Sequence, residues 1–285
     1  MSDDDPASMP NDIKVSTWTE LLDVLHSLDL IPHQREAGDH RRSPFLFRGM
    51  SNAEWPLTTS LERLGSPVHQ VEGPLLRAFE RYTPAGTESL GSEWKRLAVA
   101  QHNGLPTRVM DWTGSPLIAV HFATVEAAYR NGDEATDGII WAVNASVVRY
   151  EILPSRMRSA LDDAQAFVYS VPLLDQLYPS LRHFDDDVSK DADEVMIFFE
   201  PPSIDARIQN QYGLLSMMNG ADKSHEHHLR AQAALHPDLV RRVLIDRDAK
   251  SEIRDMLDQN NITERMLFPG LPGLCDWLRR YYGPA

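Results

Sequence analysis

Apolar residues recur along this chain in two rhythms, one of strands and one of helices. Trp18, Leu21, Leu22, Leu25 and Leu28 fall on one stripe behind a Ser16-Thr17 cap, which predicts a helix. Phe45 and Phe47 alternate with Leu46 and Arg48, the period of a strand, and Gly49 follows where the chain can turn or admit a close neighbour. Trp94, Leu97, Ala98 and Gln101 share a helix face. Ser115-Pro116 opens a further helix, because a serine oxygen can accept a free amide and proline suits the first helical position. Leu117, Ile118, His121, Phe122 and Val125 form its inward stripe and Gly132 its stop. Apolar runs at 138–143, 195–199, 212–217 and 239–245 read as strands, the second ended by Pro201-Pro202. Segments 251–257 and 271–281 read as helices.

Strands and helices are interspersed without regular alternation, which predicts an α+β fold rather than a doubly wound parallel sheet. Residues 1–12, acidic and rich in proline and serine, are expected to be disordered. Residues 13–285 are expected to form a single domain with a helical C-terminal portion. Segment 102–113 reads as a loop, and segment 182–194, rich in aspartate, as an exposed acidic loop.

Charge narrows the functional classes. The net charge of -14 over 285 residues argues against a broad footprint for nucleic acid or an anionic membrane, though it leaves room for a local basic pocket. No apolar run reaches membrane-spanning length, and the acidic start lacks the pattern of a signal peptide, so a cytoplasmic protein with no membrane partner is expected. Cys275 is the sole cysteine. This rules out an intrachain disulfide and a cysteine zinc site, and its neighbours Leu274, Trp277 and Leu278 predict a packed, inert thiol. His225-Glu226-His227-His228 lacks the spaced histidine pair of zinc proteases; it reads as a solvated helix surface, and no metal site is predicted. A Gly-rich phosphate loop, a Gly-x-Ser-x-Gly elbow and a Cys/His catalytic pattern are all missing.

Two dense stretches carry the candidate chemistry: residues 45–50, where an arginine enters a buried strand, and residues 101–116, where polar, turn-forming and aromatic residues crowd together. Arg48 and Asp111 have an alternative use as a buried ion pair stitching strand to loop, with Arg108 exposed. Ser115 has a sufficient task as a helix cap, His121 reads as a core histidine, and Trp55 and Trp112 read as core. His102, between a helix and a Gly-Pro loop, fits a functional role and a structural one equally.

Phe47-Arg48-Gly49, Trp55-Pro56-Leu57, Thr59-Ser60-Leu61-Glu62-Arg63, His102-Asn103-Gly104-Leu105-Pro106-Thr107-Arg108, Asp111-Trp112-Thr113 and Ser115-Pro116 together resemble the FRG domain family. The resemblance is specific over 45–125 and continues more loosely through Pro201-Pro202, Arg207, Gln211-Tyr212-Gly213 and Leu267-Phe268-Pro269-Gly270-Leu271. A second likeness is to ADP-ribosyltransferases: Arg-Gly ends an early strand, and Thr113-Gly114-Ser115 precedes a helix carrying Ala119, Phe122 and Ala123.

That second likeness implies a mixed sheet with flanking helices and NAD as cosubstrate. It implies Arg48, Gly49, Thr107, Arg108, Asp111, Thr113 and Ser115 as cofactor-binding residues. Arg48, His102, Glu200 and Gln211 are the implied catalytic set, Glu200 standing in for the late glutamate whose place holds Gln211. Arginine offers a rigid fork to a pyrophosphate, and a carboxylate would stabilise the positive ribose formed when the nicotinamide bond breaks. The expected activity is ADP-ribosyl transfer to protein or RNA, in a bacterial toxin or anti-phage effector. Two alternatives stand beside it: a non-catalytic module binding nucleotide or nucleic acid, and a metal-independent hydrolase or nuclease built on His102 and Asp111. The expected geometry is convergence of Arg48, His102, Asp111 and Thr113 on one cleft.

Overall fold

The computed structural model describes residues 12–27, 31–32, 41–84, 91–125, 136–203 and 205–283. In chain order these form β1 (Asp12–Val15), α1 (Trp18–Ser27), the short β2 (Ile31–Pro32) and β3 (Arg41–Arg42), β4 (Phe45–Met50), α2 (Val68–Tyr82) and α3 (Glu93–His102). Next come β5 (Met110–Thr113), α4 (Pro116–Thr124), β6 (Gly138–Asn144), α5 (Ala145–Val147), α6 (Ser155–Asp163), β7 (Tyr169–Ser170), α7 (Val171–Leu177) and α8 (Leu181–Val188). The chain continues through β8 (Met196–Glu200), α9 (Ala206–Asn210), β9 (Gly213–Met218), α10 (His225–Leu235), β10 (Val240–Ile245), α11 (Lys250–Gln259), α12 (Glu264–Leu267) and α13 (Leu271–Tyr282).

Eight strands make one mixed sheet in the order β1-β10-β6-β4-β5-β9-β8-β7. The outermost pairs, β1 with β10 and β7 with β8, are parallel, and the inner pairs are antiparallel. Alternation along β4 and β6 sorts side chains to two faces. Phe45, Phe47, Ile140 and Ala142 pack with Leu21 of α1, Ala119 and Ala123 of α4 and Ile253 of α11. Leu46, Ile139, Trp141 and Val143 meet the opposite layer, which includes Trp94 of α3, Leu161 of α6 and Phe184 of α8. Strand β6 is covered on both faces, which explains its unbroken apolar run. Each such side chain contributes roughly 1.5–3 kcal/mol on burial.

Several expectations change. Residues 110–113, expected in a loop, form β5, because β9 supplies four pairing positions from far along the chain. Within the supposed acidic loop lies α8: Leu181, Phe184 and Val188 are buried at helical spacing, and Ser180 Oγ accepts the His183 amide at 3.1 Å. Asp12, grouped with a disordered start, pairs with Arg242 in β1; residues 1–11, Leu28 and Gly132 lie outside the described residues. Cys275 is exposed rather than packed, since only Gly273 of α13 is buried. His225 and His228 are buried rather than solvated, and Trp55 is exposed. No helix among the described residues is long and apolar enough to cross a membrane.

Candidate functional site

The middle of the sheet is not fully zipped. Strands β4 and β5 share one ladder pair, Phe47 with Thr113, and then part. Beyond it, Arg48, Gly49 and Met50 pair only with β6, while Met110, Asp111 and Trp112 pair only with β9. Gly49 shows what holds β4 on its own course: a Cβ there would lie 1.8 Å from the Ala119 carbonyl oxygen of α4, so only glycine permits this strand-to-helix approach. A cleft of about 250 Å³ occupies the resulting gap.

Arg48 reaches across the gap. Its Nη1 donates to the Asp111 carbonyl at 2.7 Å, while its Nε is buried with no hydrogen-bond partner among the described residues. Burial lowers the proton affinity of the guanidinium below its ordinary value; the Asp111 charge opposes this and Arg63 adds to it. The expected ion pair with Asp111 is thus a bond to backbone, because the Asp111 carboxylate is taken by Gln101 Nε2 at 2.6 Å. A buried charge without a counterion is costly and is normally avoided.

Other polar groups gather round the same gap. His102 closes α3, and its Nε2 lies 2.6 Å from Asp205 Oδ2. Asp205 is itself fixed as the cap of α9, its Oδ1 accepting the amides of Arg207 at 2.9 Å and Ile208 at 3.2 Å. Burial works against the Asp205 charge, but the Ile208 amide and His102 outweigh it and hold the carboxyl below its usual range. The Arg207 guanidinium stacks over the Phe268 ring at 5.0 Å. Phe268 in turn meets Phe122 edge-on, with ring centroids 6.1 Å apart. Arg48, His102, Asp111, Thr113, Phe122, Arg207 and Gln211 all line the cleft.

The remaining motif residues serve the framework. Ser60 Oγ accepts the Thr107 amide at 3.0 Å, and the Thr107 carbonyl accepts the Leu61 amide at 3.1 Å. Thr107 Oγ1 donates to Gln101 Oε1 at 2.6 Å, completing a chain that ends on Asp111. Residues 43–132 match the FRG domain family model. No curated protein and no solved structure matches the chain. The FRG segment supplies one wall of the cleft, from β4, α3, β5 and α4; Pro201, Arg207, Ile208, Gln211, Gly213, Leu214 and Leu215 form the other from beyond it.

Four residues expected at the cofactor or reacting bond lie elsewhere. Thr107 is buried in the clasp just described. Arg108, expected exposed, is buried between Glu72 and Asp185 and borders a different cavity. Ser115 occupies the cap position of α4 but makes no side-chain capping bond; its amide instead donates to Thr113 Oγ1 at 3.0 Å. Glu200 is exposed at the end of β8 and is not among the residues lining the cleft, although its neighbour Pro201 is. Gly49 borders the cleft, yet its glycine is demanded by α4 rather than by a ligand. Thr113 and Gln211 do meet, Thr113 Oγ1 donating to the Gln211 carbonyl at 2.7 Å, and Gln211 Nε2 donates to the Leu267 carbonyl at 3.0 Å.

Gln101, Phe122, Asp205 and Arg207 are site residues that the sequence did not mark as such. The one signal for Asp205 was its place as a capping residue before a short helical run, which says nothing of a histidine so distant in the chain.

Proposed function

We propose that the cleft binds NAD or a related nucleotide and transfers its ADP-ribosyl group. The observation that carries this reading is Arg48: a guanidinium fixed at one corner, short of a counterion and with an unpaired buried nitrogen, in a gap lined by a second arginine. A phosphorylated ligand supplies the missing charge and acceptors. The cleft, at about 250 Å³ smaller than most small-molecule sites, would take one end of a dinucleotide, with the remainder in the opening. Asp111 replaces Glu200 in the proposed chemistry. It is the carboxylate lining the cleft, Gln101 orients it, and its charge would favour the oxocarbenium-like ribose as the bond to nicotinamide breaks.

The non-catalytic nucleotide-binding module is the second reading. Its support is specific: Gln211 is uncharged and committed to Leu267, and Glu200 stands outside the cleft. Incubation with NAD, following nicotinamide release and binding separately, tests both. Arg48→Ala is expected to abolish binding. Asp111→Asn is expected to leave binding within a few-fold while lowering turnover on the order of 10²–10³-fold, because its charge matters mainly in the transition state. A wild-type protein that binds NAD and never releases nicotinamide would establish the binding module; one that does not bind NAD would remove both readings for that nucleotide.

A further inference from the structure

The His102–Asp205 pair stands at the edge of the cleft, and its carboxylate is held in place. Asp205 is immobilised by two backbone amides through Oδ1, leaving Oδ2 aimed at the imidazole. With the Nε2 proton turned toward Asp205, Nδ1 is left as the acceptor nitrogen. His102 lines the cleft, on the same rim as Asp111. The charged groups around this rim are Asp205 and Arg207 from the α9 segment, Asp111 from β5 and Arg48 from β4.

We propose that His102 is the base that deprotonates the acceptor, that Asp205 is its positioning residue, and that the acceptor is an uncharged hydroxyl. This rests on the NAD chemistry proposed for the cleft. The bond between ribose C1′ and the nicotinamide nitrogen breaks, its electron pair neutralising the pyridinium as nicotinamide leaves. An oxygen lone pair of the hydroxyl forms the new bond to C1′. The hydroxyl proton passes to Nδ1, and the imidazolium is stabilised by Asp205. A carboxylate or thiolate acceptor carries no proton to remove and would need no such base. Water is the simplest hydroxyl that fits, and a small alcohol is the next.

The test uses the full chain with NAD in water and in water containing methanol, measuring nicotinamide, ADP-ribose and methyl ADP-riboside. Wild-type protein is expected to form both ribosyl products. His102→Ala and His102→Gln are expected to lower kcat by about 10²–10⁴-fold with KM for NAD unchanged, and added imidazole to restore part of the loss in the alanine variant. Asp205→Asn is the discriminating variant. Asparagine caps a helix as well as aspartate does, so α9 keeps its start while the charge beside His102 is lost. It is expected to lower kcat on the order of 10²-fold or more at unchanged KM. Wild-type kcat in both His102 variants, or in Asp205→Asn, would overturn this assignment while leaving the proposed function standing. Absence of nicotinamide release from the wild type would overturn both.

Discussion

Arg108 is buried and Arg48 half-buried, and only Arg108 has its donors saturated among the described residues. Arg108 Nε donates to Glu72 at 2.6 Å, its Nη2 donates to the same carboxylate, and its Nη1 donates to the two Asp185 oxygens at 2.7 and 2.8 Å. Burial disfavours this charge, but the bonds and charges of Glu72 and Asp185 more than offset it, and its proton affinity rises. The side chain fastens α2 and α8 to the segment before β5. Arg48, by contrast, holds one backbone carbonyl and keeps a buried nitrogen unpaired. A charge with all its partners supports the fold, whereas a charge the fold buries without partners marks a place for a ligand.

The comparison breaks most visibly at Arg108. Arg108→Met strands Glu72 and Asp185 together, and urea denaturation is expected to show a loss of about 3–5 kcal/mol. NAD affinity of the folded protein should not change.

Acid sharpens the contrast next. His225 is buried beside Arg48, and burial first, then the Arg48 charge, pushes it down to about 3. His121, buried against Arg254, is likewise pushed down to about 3. Both are neutral in the folded protein and take up protons more readily when unfolded, so stability is lost as pH falls from about 6.5 toward 3. At pH 5 the loss is expected to be roughly 2 kcal/mol for each histidine relative to neutral pH. Urea titrations at the two pH values check this, with His225→Leu removing that histidine's share while His121 and the buried His228, also pushed down by burial, keep theirs. An unchanged slope in that variant would move the acid sensitivity away from the Arg48 neighbourhood.

The smallest stability effect is expected at Arg48 itself. Arg48→Met replaces an incompletely bonded guanidinium by an apolar chain of similar length, which should shift stability by no more than about 1 kcal/mol. NAD binding should disappear. Thermal melting and calorimetric titration of one sample measure both. A loss as large as that of Arg108→Met would make the two arginines alike and remove the contrast.

Much of this architecture was legible in residue patterns, and the parts that were not share a cause. Strands β4, β6, β8, β9 and β10 announce themselves through local apolar runs, as α4 does through Ser115-Pro116. Strand β5 does not: Met110-Asp111-Trp112-Thr113 is short, and what makes it a strand is pairing with β9. Helix α8 hides Leu181, Phe184 and Val188 among aspartates, one of which, Asp185, turns inward to Arg108. At the site, Arg48, His102, Asp111 and Thr113 were recognisable by residue type and density. Their roles were not, because whether an arginine is paired depends on which side chain arrives from elsewhere. Glu72 and Asp185 arrive at Arg108, and Asp205 arrives at His102. Arg48 receives a carbonyl.

The lone ladder pair between Phe47 and Thr113 has a mechanical consequence. On one side of it lie β1, β10, β6 and β4, with β4 locked to α4 through Gly49; on the other lie β5, β9, β8 and β7. The two halves of the sheet thus share a single ladder pair at their junction while one core runs beneath both, with Arg48 rooted in one half and Arg207, in α9, linked to the other by the chain into β9. A ligand gripped by both arginines would tie the two halves together across the place where the strand ladder is thinnest.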